Sequence, residues 1–139
     1  MQAIDRARAP RSPLYLASTP RSGATLLAAM LNRHRHIAMF NEPWFFQLAA
    51  KYGSLRRRPN VRRLLNDLSY SGRGFGAAIE DDWLSEIEAE ILAAGDDRPL
   101  AGFLHFLDRF AALQGKPRWG VKQPHGILDA PHLLRQRPD

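Results

Sequence analysis

The 139-residue sequence has no cysteine. That excludes disulfides, thiolate nucleophiles and zinc–thiolate sites, and it fits a cytoplasmic location. No run approaches the ~20 consecutive apolar residues that a membrane-spanning helix requires. The segment from Met1 to Pro13 is polar and basic with no apolar centre, so no secretory signal is expected. Lysine is scarce. Lys51, Lys116 and Lys122 are the only lysines among 20 basic residues, so arginine carries nearly all the positive charge. No internal repeat or low-complexity tract occurs, and no cluster has the spacing of metal ligands.

The remaining balance is basic, with a formal net charge of +6. A nucleic-acid or membrane-surface partner is one reading of that excess. An anionic small ligand is a second, and a GC-rich coding bias toward Ala and Arg is a third. Base-stacking aromatics do not alternate with the basic residues, which argues against nucleic acid. The chain is long enough for one domain with its own core. Residues 1–12 are expected to be a flexible basic lead-in, and 13–139 a single α/β domain.

The most informative segment runs from Leu14 to Leu27. Leu14 to Ala17 is a short apolar run suited to a buried strand. A tight polar loop follows, Ser18-Thr19-Pro20-Arg21-Ser22-Gly23, and then a helical pattern from Ala24 to Arg33 with Leu26, Leu27, Met30 and Leu31 expected on its buried side. A helix N-terminus offers unpaired N–H groups and a positive dipole end, which suit an anion such as phosphate. Gly23 allows close backbone approach. Arg21 adds a fixed planar charge, and Ser22 and Thr25 add hydroxyls. The loop lacks the first glycine and the lysine of G-x-x-x-x-G-K-[ST], so it is not the usual nucleoside-triphosphatase loop. That lysine and a magnesium carboxylate are also what a small-molecule kinase would need.

Further along, Ile37 to Phe40 suits a second strand. Glu42 to Tyr52 suits a helix with Pro43 in its first turn. Arg56 to Pro59 reads as a break, Val61 to Leu68 as a helix, and Ser69 to Gly76 as a Gly/Ser surface loop. Two amphipathic helices follow. Asp82 to Ala94 aligns Trp83, Leu84, Ile87, Ile91 and Leu92. Leu100 to Leu113 aligns Leu100, Phe103, Leu104, Leu107 and Phe110, and Gly95 and Gly115 end the two. Arg118 to Val121 reads as a strand, then a polar loop, then a last helix over Ala130 to Gln136.

Two further segments can carry chemistry. In Asn41-Glu42-Pro43-Trp44-Phe45-Phe46, an acid beside an aromatic run is partly desolvated, which suits its carboxylate to act as a general base. The competing reading is a helix-start glutamate favoured by the dipole. In Arg118-Trp119-Gly120-Val121-Lys122-Gln123-Pro124-His125, a lysine at a strand end would face the crevice where α/β folds bind ligands. The competing reading is a solvated loop lysine.

The string Pro20-Arg21-Ser22-Gly23-Ala24-Thr25-Leu26-Leu27 resembles the 5′-phosphosulfate loop of the sulfotransferases, P-[KR]-S-G-[TS]-[TS]. Ala24 departs from it, removing one hydroxyl and keeping the N–H. Trp119-Gly120-Val121-Lys122-Gln123-Pro124 is similar to that family's W-G-x-K-[TS]-P, with Gln123 in place of Thr or Ser. The resemblance implies an α/β fold with a P-loop-like parallel sheet and a sulfonate donor, 3′-phosphoadenosine 5′-phosphosulfate. It implies a small-molecule or carbohydrate acceptor bearing a hydroxyl or amine, and no metal. It assigns Pro20, Arg21, Ser22, Gly23, Ala24, Thr25 and Leu26 to the donor. Lys122 with Arg21 would stabilise the transferring charge, and Glu42 would take the acceptor proton. His125 lies one residue from a histidine position of many relatives.

The family's second donor motif, R-D-P followed by a serine, does not follow the Trp119–Pro124 segment within these 139 residues. The resemblance is therefore to the N-terminal portion of the family. On this reading the fold is truncated before its later strands, and apolar edges are left open. Donor affinity would fall by several charge-assisted hydrogen bonds of ~1.5–3 kcal/mol each. A partner chain could complete the fold. A non-catalytic adenosine-phosphate-binding module and a basic nucleic-acid-binding protein remain as alternatives.

Overall fold

The structure, a computed structural model, describes residues 13–128 together with 130, 131 and 135. The expected lead-in over residues 1–12 lies outside the described residues, as does most of the expected last helix. The described chain is an α/β unit with strands β1 (Leu14–Ser18), β2 (Ile37–Asn41) and β3 (Arg118–Pro124). All pairings are parallel, in the order β1-β3-β2, so the last strand lies at the centre. The helices are α1 (Ala24–Asn32), α2 (Phe45–Tyr52), α3 (Arg58–Gly72), α4 (Asp81–Ala94) and α5 (Pro99–Leu113).

Side chains on a strand alternate between faces, and β3 shows what that does for the site. Trp119 and Val121 are buried on one face, in a core with Phe40, Leu64, Leu68, Phe103, Phe106 and Phe110. The Trp119 indole N–H donates to Asp108 at 2.8 Å. Gly120 and Lys122 lie on the other face, under α1. A Cβ on Gly120 would meet the buried Met39 Sδ and stand 3.3 Å from both the Cβ and the carbonyl oxygen of Leu14, so glycine suits the close packing of strands and side chains there. Register places Lys122 opposite Leu16 of β1 and Asn41 of β2.

The larger face is built from aromatics. Phe45 stacks on Phe103 with ring centroids 4.3 Å apart, and Phe40 meets Phe106 and Phe110 edge-on. Each fully buried phenylalanine contributes roughly 1.5–3 kcal/mol. Phe106, absent from the apolar phase read in the sequence, is fully buried in this cluster.

Four local expectations are corrected. The α1 helix packs on the sheet through Ala24 and Ala28, one turn apart, while Leu26, Leu27 and Met30 are exposed. Small residues let a helix lie close to a sheet, and that contact overrides the larger apolar stripe. The helix expected from Glu42 begins at Phe45, because Glu42 and Trp44 both have positive φ, at 47° and 50°. The expected Gly/Ser loop is instead the last turn of α3 and a 3-10 turn over Arg73–Phe75, ended by Gly76 in the left-handed region. Gly72 there is a close-approach residue: a Cβ would lie 2.6 Å from Ile79 Cδ1 and 2.9 Å from Phe40 Cε2. Pro59, read as a break, occupies the first turn of α3, where its missing N–H costs nothing.

Candidate functional site

The three parallel strands end on the same side of the sheet, and the chain beyond each end contributes to one cleft of about 380 Å³. Crevices at the carboxyl ends of parallel strands are where open α/β sheets bind ligands. Ser18 to Thr25 forms one wall, Glu42 and Trp44 a second, and Lys122, Pro124 and His125 a third. The three segments singled out in the sequence therefore meet.

The first wall brings a helix N-terminus to the cleft. Gly23 is the N-cap of α1 with φ 80°, a left-handed conformation that glycine adopts without strain. Its carbonyl starts the helix by accepting from Leu27 N–H at 3.1 Å. No side chain caps α1 and no acid stands in its first turn, so the helix N-terminus offers its amides and dipole to the cleft. Arg21 and Ser22 are exposed beside it, as is Pro20, while Ala24 is buried against the sheet. Leu26 does not line the cleft, which leaves it only a backbone amide to offer.

Lys122 is the pivot. Its side chain is 4% exposed, and its ammonium donates to the Glu42 carboxylate and, at 3.1 Å, to Thr25 Oγ1. One amine thus joins the loop helix to the Glu42 segment. The solvated-loop reading of Lys122 is corrected, because β3 continues through Pro124 and buries it. Glu42 does not stand alone against the aromatic run. Of its neighbours only Trp44 lines the cleft, while Phe45 is in the core. Lys51 and Lys116 are engaged elsewhere, with Asp67 and with Asn32 respectively. Burial holds the Lys116 amine below its ordinary value.

Among the described residues, Arg21, Glu42, Trp44 and His125 are the non-glycine residues with positive φ, and all four line this cleft. Such conformations cost on the order of 1–3 kcal/mol each and persist only where the surroundings enforce them. The enforcing bonds are visible. Glu42 N–H donates to the Lys122 carbonyl at 2.8 Å, and the Glu42 carbonyl accepts from Ser71 Oγ at 3.2 Å. Trp44 N–H donates to Gln123 Oε1 at 3.1 Å. His125 N–H donates to the Ser18 carbonyl at 2.8 Å, tying β3 to β1.

Gln123 and Ser71 escaped the sequence reading. Gln123 was seen only as a departure from Thr or Ser. It is buried on the face opposite Lys122, and its amide fixes the Trp44 backbone. Period-2 alternation continued past Val121 would have predicted that burial. Ser71 carries no signal, since the Ser/Gly composition around it suits a loop, not the helical turn it occupies. Ser18 also lines the cleft, with its Oγ buried and without a hydrogen-bond partner.

A larger and shallower groove of about 730 Å³ runs along α3, lined by Arg58, Arg62 and Arg63 among others. Arg58 and Arg62 both pair with the buried Glu88 carboxylate, which offsets one of their two charges. No three His, Asp or Glu side chains group as metal ligands among the described residues. No described helix is long and apolar enough to cross a membrane.

The sequence model described as the sulfotransferase family matches residues 13–139, which include every segment of the cleft. Searches of the curated proteins and of the solved structures find no match.

Proposed function

The chain belongs to the sulfotransferase family, and from that premise we propose that its cleft transfers a sulfonate from 3′-phosphoadenosine 5′-phosphosulfate to a hydroxyl or amine. The observation that carries this reading is the convergence of Thr25 and Glu42 on the Lys122 ammonium at the uncapped N-terminus of α1. Two functions that sulfonate transfer needs, charge stabilisation and proton removal, are then side by side.

In this reading the α1 amides, Arg21, Ser22 and Thr25 hold the 5′-phosphosulfate. The acceptor oxygen or nitrogen attacks sulfur in line as the bond from sulfur to the bridging phosphate oxygen breaks. Lys122 and Arg21 balance the charge that grows on that oxygen, and Glu42 takes the acceptor proton. The leaving group is 3′-phosphoadenosine 5′-phosphate. Catalysis of this kind is positioning plus electrostatics, as in phosphoryl transfer. Trp44, 40% exposed at the cleft, supplies an apolar wall for the acceptor.

Calorimetric titration with 3′-phosphoadenosine 5′-phosphate tests the reading, beside adenosine 5′-phosphate and the Arg21→Ala variant. Binding that weakens in Arg21→Ala supports a 5′-phosphate site at the loop. A folded protein that binds neither nucleotide refutes it. A gain from the 3′-phosphate would show a second grip in addition to the loop.

A further inference from the structure

Lys122 makes two demands on one charge. Its ammonium is buried with almost no access to water, lies 3.1 Å from Thr25 Oγ1 in the first turn of α1, and is paired with Glu42. An anion seated at that first turn would reach the same ammonium. Glu42 and the anion are therefore competitors for it.

The geometry decides which partner yields. Lys122 projects from the central strand and is 4% exposed, so it has nowhere to go. The Glu42 side chain is 32% exposed and can turn to water. The Glu42 backbone stays put, held by the Lys122 carbonyl and Ser71. Only the carboxylate swings.

Resting on the proposed sulfonate transfer, we propose that the Lys122–Glu42 ion pair is a donor-operated latch. Before the donor binds, Lys122 holds the Glu42 carboxylate. When the donor's 5′-anion seats on the α1 N-terminus it takes over Lys122, and Glu42 is released to accept the acceptor proton. The base is thus freed only in the donor-loaded protein, so only that form can take the acceptor proton. It also keeps the two charges of the machinery neutralised until both are needed.

Competition makes the coupling reciprocal. Removing the carboxylate should therefore improve donor-side binding, although Glu42 belongs to the machinery. In Glu42→Gln the buried ammonium lacks its counterion and the anion supplies it. The expected result is about tenfold tighter calorimetric binding of 3′-phosphoadenosine 5′-phosphate than wild type. Glu42→Asp, one methylene too short to hold the contact, should tighten binding in the same direction. Circular dichroism establishes that each variant is folded.

A second measurement needs no variant. In wild-type protein carrying 13C at the glutamate carboxyls, Glu42 is the only cleft glutamate, against Glu80, Glu86, Glu88 and Glu90 elsewhere. One carboxyl resonance should move on addition of the nucleotide while the others stay. Unchanged or weaker binding in folded Glu42→Gln, or nucleotide binding with no carboxyl resonance moving, overturns the latch alone. Failure of the wild type to bind the nucleotide overturns the functional reading beneath it.

Discussion

Replacing Lys122 with methionine separates a catalytic ion pair from a structural one. The side chain keeps its shape as far as Cε and loses the ammonium. Breaking a buried ion pair ordinarily costs ~3–5 kcal/mol, because the orphaned charge stays out of water. Here the orphan is Glu42, whose side chain is 32% exposed and can rehydrate, while the group removed is the one at 4%. Lys122→Met should therefore unfold in urea within about 1–2 kcal/mol of wild type, since an apolar group of similar volume suits the buried position. The converse change, Glu42→Leu, strands the buried ammonium and should cost the full ~3–5 kcal/mol. Ligand binding should respond differently. A charge-assisted hydrogen bond contributes ~1.5–3 kcal/mol, so Lys122→Met should weaken 3′-phosphoadenosine 5′-phosphate binding by roughly 10- to 150-fold. Urea unfolding followed by circular dichroism, together with calorimetry, reads both. A loss above about 3 kcal/mol in Lys122→Met, or wild-type affinity in the folded variant, would refute the reasoning.

Other perturbations follow from single contacts. Gln123→Leu leaves the Trp44 N–H without its acceptor and its positive φ without support. It should cost ~1–3 kcal/mol in urea and shift the tryptophan emission as Trp44 relaxes. Gly23→Ala meets no atom within 4 Å, so only its φ of 80° is penalised, and a loss of about 1–2 kcal/mol in the same assay is expected. Burial, with the hydrogen bond to Asp67 and that carboxylate's charge, raises the Tyr52 phenol above its ordinary 10.0. The folded state then keeps a proton that the unfolded chain loses, so this contribution is whole below pH 10 and falls as pH rises beyond it. Tyr52→Phe should flatten that alkaline fall in pH-dependent urea midpoints.

Local order was legible where a pattern is carried by neighbours in sequence. The strand Leu14–Ser18, the glycine N-cap and the long helices α4 and α5 follow from apolar periodicity and glycine placement, and they stand within a residue or two of expectation. The pattern misled where contact from afar decides. Leu26, Leu27 and Met30 form the more apolar stripe of α1, yet Ala24 and Ala28 make the sheet contact, because closeness of approach outweighs side-chain size. Gly72 has loop composition yet ends a helix, where it is glycine because Phe40 and Ile79 leave no room for a Cβ.

The sequence by itself determined the candidate anion loop, lysine and glutamate, and the family to which the chain belongs. Those depend on residue types at short spacing, which local chemistry fixes. Only the tertiary structure decided that Lys122 is buried, that Glu42 and Thr25 share its ammonium, and that Gln123 and Ser71 hold the opposite wall in strained backbone. The reason is topological. The strand that carries Lys122 comes last of the three described strands and inserts between the first two. Residues 97 positions apart become hydrogen-bond partners through that insertion, and no local pattern encodes it.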